Sequence, residues 1–189
     1  MQKLMTGSLL AAVAMFIFGA IYWTSPLSGV GIHEPADSVV AQAILAETFP
    51  ETGVYWVPGM SLYSENPELF ETLHISGPVA MVNIVYAPGP PMAPATFVLG
   101  FLHNLVACFL IGLLLSKAAP ALGTYGARVG FVVLAGLTTA FFVEMASVVW
   151  WRMPLPNQLI SALYDIVAWL IAGLVLARHI GPAPLSGEG

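Results

Sequence analysis

Four long apolar runs, Leu4–Trp23, Ala95–Leu115, Val129–Trp151 and Gln158–Ala177, alternate along the chain with short polar breaks and one long mixed segment. Each run holds the roughly 20 residues that a helix needs to cross the hydrocarbon of a bilayer, so the pattern predicts four membrane-spanning helices. The mixed segment, residues 24–94, shows shorter signals. Asp37 or Ser38 is placed to cap a helix reaching about Phe49, with Val40 and Ile44 on one face. Asn66-Pro67-Glu68 supplies a cap, a proline for the first helical position and an acid for the positive dipole end of a second helix. Between them, Gly53–Pro58 and Pro78–Ala87 are rich in β-branched and aromatic residues and bounded by Gly and Pro, which predicts two strands able to pair.

The expected fold is therefore an all-α membrane protein: a four-helix bundle with a small extracytoplasmic α/β cap between its first and second helices. Its parts are residues 1–23 (helix one), 24–94 (cap), 95–180 (helices two to four) and 181–189 (a disordered cytoplasmic tail). Two strands alone are marginal, so the cap needs its own helices or the membrane surface to cover it. Pro88–Pro94 forms a stiff extended connector into the second run. The first run is read as a retained span and not a cleaved leader, because it ends in Tyr22-Trp23 and shows no small-residue cleavage site.

Composition sharpens this picture. Of 189 residues, 58% are hydrophobic and 8% charged, far from the balance of soluble domains. Lys3, Lys117, Arg128 and Arg178 flank one side of the spans and only Arg152 the other. Basic residues favour the cytoplasm, so both termini are expected inside and residues 24–94 outside, in a bacterial inner membrane. That outer segment carries seven of the ten acids and no Lys or Arg, which leaves no basic surface for nucleic acid. The single cysteine, Cys108, excludes an intramolecular disulfide.

Candidate chemistry lies in the runs themselves. His103, Glu144 and Asp165 are seven residues in from Thr96, six from Trp150 and seven from Gln158. At about 1.5 Å per residue all three lie roughly 10 Å below the outer interface. Each shares its helix stripe with small residues: Thr96, Gly100 and Ala107 beside His103; Gly136, Ala140 and Ser147 beside Glu144; Ser161, Ala162, Ala168 and Ala172 beside Asp165. Small side chains mark surfaces where membrane helices approach closely. The three, with Asn104 alongside, are thus expected to form one buried polar layer. Two carboxylates against one imidazolium leave an excess negative charge, to be met by a shared proton, a cation, or Arg152 bending inward.

By residue type the trio matches a metal-binding facial triad, though it lacks any local spacing motif. Cys108 lies about 140° round the helix from His103 and reads as a buried small hydrophobe, not as a copper ligand with Met81 or Met92. His33 and His74 read as solvated histidines of the cap, and Gly126-x-x-x-Gly130 as a small-residue pair near the inner end of the third span. No phosphate loop, zinc-protease helix, nucleophile elbow or Cys-x-x-Cys motif occurs, so no cofactor is implied.

The run Gly19-Ala-Ile-Tyr-Trp-Thr-Ser-Pro26 and the stretch from Pro154 to Leu174, with Tyr-Asp-Ile-Val-x-Trp-Leu-Ile-Ala-Gly-Leu at its end, resemble bacterial four-helix inner-membrane proteins that have no assigned activity. The resemblance covers about a fifth of the chain and implies no catalytic residue. The reading that follows is a non-enzymatic accessory, assembly or sensing protein whose partners are the lipid bilayer and a membrane protein or a second copy of itself. A proton- or cation-coupled transporter or channel subunit using the polar layer is the alternative. An outward-facing membrane enzyme with Glu144 or Asp165 as acid or base comes third.

Overall fold

The computed structural model describes residues 1–181. The expected tail, 181–189, lies outside the described residues apart from Gly181. The chain runs as α1 (Gln2–Trp23), α2 (Ser38–Thr48), β1 (Gly53–Val57), α3 (Met60–Glu65), α4 (Pro67–Ser76), β2 (Ala80–Ile84), α5 (Pro94–Ala118), α6 (Tyr125–Trp151) and α7 (Leu155–His179). Short 3-10 turns follow α1 at Pro26–Gly29 and α5 at Ala119–Ala121. Helices α1, α5, α6 and α7 are each long and apolar enough to cross a membrane.

The chain divides into two compact units, one of residues Met1–Ile32 with the stretch beginning at Ala93, the other of His33–Met92. In the second unit, caps start the helices at the expected places. The Asp37 carboxylate accepts from the backbone N–H groups of Val39 and Val40 at 2.8 and 3.0 Å. The Asn66 side-chain oxygen accepts from the Leu69 N–H at 3.0 Å, with Pro67 at the first helical position. Strands β1 and β2 pair antiparallel, Gly53 opposite Ile84 and Trp56 opposite Met81. Tyr86 ties the sheet's end to α2, its hydroxyl donating to the Phe49 carbonyl at 2.8 Å. Helix α3 has no counterpart in the sequence reading; Met60–Glu65 is one short helix without a side-chain cap, so nothing in its pattern announces it. None of the residues 33–92 is fully buried, as expected for two short strands with no second layer.

In the first unit the four long helices form an open row, α5–α1–α7–α6. Helix α1 packs extensively on both α5 and α7, and α7 on α6, whereas α5 barely meets α6 or α7. Residue size explains the order. Gly7, Ala11 and Ala12 let α1 sink between its neighbours, and the Ser8 hydroxyl donates to the Cys108 carbonyl of α5 at 3.3 Å. Cβ atoms added at Gly112 or Gly7 would meet Leu4 at 2.7 Å and His179 at 3.0 Å respectively, so close approach depends on their absence. Cys108 is fully buried, its sulfur 3.3 Å from that of Met15, in keeping with a small core hydrophobe. Gly126 and Gly130, by contrast, have no neighbour within 4 Å of a built Cβ among the described residues.

The core is lopsided. Ala11, Ala12, Met15, Cys108, Ile111, Leu115, Ala119, Val132, Ala168, Ala172, Leu176 and Ile180 cluster towards the end of the row that holds Met1 and His179. Towards the other end, where Trp23, Pro94, Trp151 and Leu155 lie, only Tyr22 and Gln158 among the described residues are buried.

Candidate functional site

The closest-packed pair, α6 and α7, is a helical hairpin, and its seam is what positions the carboxylates. Its turn is made by Arg152, in the left-handed conformation at φ 54°, followed by Pro154 and Pro156. A left-handed residue stops a helix by pointing the next N–H groups back at the last carbonyls. Here the N–H groups of Arg152 and Met153 both reach the Ser147 carbonyl. At the opposite end Arg128 donates through Nε to the Ala177 carbonyl at 3.2 Å, and the Tyr125 hydroxyl donates to that of Leu174 at 2.9 Å. The Arg128 contact satisfies a carbonyl that the end of α7 leaves without an intrahelical partner.

Between those ends the seam is lined by Gly136 and Ala140 of α6 and by Ala168, Ala172 and Gly173 of α7, all buried. Glu144 continues the α6 line one turn beyond Ala140, and Asp165 continues the α7 line one turn before Ala168. Both are half-buried, and their carboxyl groups are near enough to interact electrostatically.

Asp165 also borders an aromatic clamp. The Tyr164 ring stacks on Phe18, centroids 5.5 Å apart and planes 5° from parallel, and packs against Tyr22 and Trp23 at 5.3 and 5.2 Å. Its hydroxyl is hydrogen-bonded with the Trp23 indole, and the Tyr22 hydroxyl donates to the Ile160 carbonyl at 2.8 Å. A Cβ at Gly19 would lie 3.0 Å from the Tyr164 oxygen. This α1–α7 clamp holds the half of the row where the buried core is absent. Read as sequence, Tyr22 and Trp23 suggested only an interfacial belt. The signal for more was Gly19, one turn before Tyr22 and within an otherwise bulky run.

His103 does not join the carboxylates. It lies on the exposed side of α5, on a stripe with Leu99, Val106, Leu110 and Leu114, all of them exposed. Among the described residues no group of three His, Cys, Asp or Glu side chains is placed to hold a metal ion. The metal-ligand reading of His103, Glu144 and Asp165 gains no support from this placement. Equal depth fixes height but not azimuth, and α5 buries the face of Cys108, Ile111, Gly112 and Leu115. The 140° between His103 and Cys108 already separated the imidazole from that face. Asn104, the next residue, is half-buried. Arg152 is exposed and forms the hairpin turn, so of the three ways to meet the excess charge a shared proton or a cation is left to the carboxyl pair.

No family model, curated protein or solved structure matches this chain. The functional reading therefore stands on the geometry alone: a carboxyl pair in the α6–α7 seam, an aromatic clamp beside it, and an imidazole on a separate outward stripe.

Proposed function

We propose that this chain is a multi-pass protein of a bacterial inner membrane, with both termini cytoplasmic and residues 24–94 outside, and that it acts as a non-enzymatic assembly or accessory subunit. One observation carries the reading: α5 sits at the edge of an open row and presents His103 on an otherwise aliphatic exposed stripe. In hydrocarbon an unpaired imidazole is costly, whereas a partner helix offering a polar group repays that cost. The bias of basic residues towards the ends of the helices that carry the termini supports the orientation.

The test is reconstitution. The purified full-length chain in liposomes is expected neither to move ions or solutes nor to turn over lipid, and to run as part of a defined complex when extracted gently from its native membrane. Solute flux or lipid turnover by the chain alone refutes the proposal. A second reading, proton- or cation-coupled transport, is favoured specifically by the Glu144–Asp165 pair, since carboxyls near enough to interact within a membrane span commonly serve such a path. Under that reading Glu144→Gln with Asp165→Asn abolishes an ion-dependent flux and leaves the fold intact.

A further inference from the structure

Two features of the exposed surface find no partner among the described residues of one chain, and they match each other. The first is His103 on its aliphatic stripe of α5. The second is a stripe on α6: at 100° per residue Gly126, Gly130, Leu137, Phe141 and Glu144 fall within a sector of about 60°. Gly126, Gly130, Leu137 and Phe141 are exposed, and Glu144 lies at the border between this sector and the α6–α7 seam. Among the described residues nothing lies within 4 Å of a Cβ built at either glycine, yet small-x-x-x-small pairs are what allow a second helix to approach closely in a bilayer.

We propose that a second copy of this chain covers these faces, α5 of each copy lying along α6 of the other, with the His103 imidazole donating to the Glu144 carboxylate across the contact. The inference rests on the assembly reading above and names the partner. Height is its main support. His103 is nine residues beyond Pro94 and Glu144 seven before Trp151, placing them roughly 14 and 10 Å from the same end of the row, within one helical turn. Copies inserted in one orientation can be related only by an axis along the membrane normal, and such an axis preserves height. Residues level with one another in a single chain are therefore level between chains. A two-fold axis also makes the contact reciprocal, satisfying both imidazoles and closing the assembly at two copies. Hydrogen-bonding chemistry agrees with height: the Glu144–Asp165 pair gathers carboxyl oxygens where water is scarce, and an imidazole N–H from the other copy supplies one of them with a donor.

Two differently tagged full-length copies test this in native membranes, in a Cys108→Ala background, one carrying His103→Cys and the other Glu144→Cys. Mild oxidation is expected to give a disulfide-linked species bearing both tags. Pairing His103→Cys with Leu163→Cys, exposed on α7 near the height of Asp165, is expected to give none. Equal cross-linking of both pairs, or of neither, overturns the proposal. Subunit counting in lipid bilayers supplies a second measurement. His103→Ala, exposed in a single copy, is expected to lower the association constant about tenfold without changing thermal unfolding; an unchanged constant overturns the contact. Copies that stay monomeric and move no solute reject this inference and leave the assembly reading standing with another partner. Dimers that transport unaided reject the assembly reading and keep the contact.

Discussion

The Gly136→Ala substitution tests whether the α6–α7 seam is as tight as it looks. A Cβ built at Gly136 overlaps Cγ, Cβ and Cδ1 of Trp169. Those atoms are close to the α7 backbone, so no rotation of a flexible tip relieves the overlap. To bring the methyl into ordinary van der Waals range the helices must part by about 1 Å, and a gap of that size forfeits a quarter to a half of each affected contact. Overpacking of this kind costs about 1–3 kcal/mol, and the rigidity of Trp169 argues for the upper part of that range. Alanine returns at most about 1 kcal/mol through its better helix propensity. The net expectation is a loss of about 2 kcal/mol, read as a lowered unfolding midpoint in detergent, with tryptophan fluorescence reporting on Trp169 directly. Gly130→Ala, six residues away on the same helix and facing open space, is the control. It keeps the propensity gain and carries no clash, so a dispersed single chain should become more stable. If Gly136→Ala matches or exceeds the wild type while Gly130→Ala behaves the same way, the seam is not tight and the argument that it positions Glu144 and Asp165 fails.

Tyr22→Phe removes the hydroxyl that donates to the Ile160 carbonyl and is expected to cost about 1 kcal/mol, seen as a lower thermal midpoint; no change would mean the clamp is held by ring packing alone. Asp37→Ala deletes a cap serving two N–H groups and should cost about 1 kcal/mol, with faster amide hydrogen exchange at Val39 and Val40 as the local readout. Asn66→Ala should do the same at Leu69, where its side chain caps α4. Arg152→Gly relieves the left-handed backbone at φ 54° and is expected to stabilise the hairpin by about 1 kcal/mol, measured by denaturant unfolding; a loss would show that the arginine side chain contributes more than its backbone costs.

Elements with a local physical cause were readable from the sequence. The four long runs became four helices because their length and apolarity are set residue by residue, and Asp37 and Asn66 cap where caps were expected because capping involves only the next three residues. The strands Gly53–Val57 and Ala80–Ile84 fell inside their expected stretches for the same reason. What the sequence withheld was azimuth. The stripes of Glu144 and Asp165 pointed into the seam, where buried glycines and alanines continue them. That of His103 did not, although Gly100 and Ala107 flank it in the same way, because α1 selects the face of α5 that carries Gly112 and Ser8's acceptor at Cys108. Which of two small-residue faces is used depends on a helix some 100 residues earlier in the chain. The open order of the row was equally hidden, since it arises from the fit of α1 between α5 and α7 and not from any single run.

Residues 33–92 leave the first unit after α1 and return to it at α5, two helices that pack directly on one another. The excursion is thus topologically a graft on a single inter-helix connection. Closing a chain loop costs free energy that grows only with the logarithm of its length, so lengthening, trimming or exchanging this passenger places little thermodynamic burden on the four long helices. The inserted unit can therefore change in length or content while the four long helices keep their own packing.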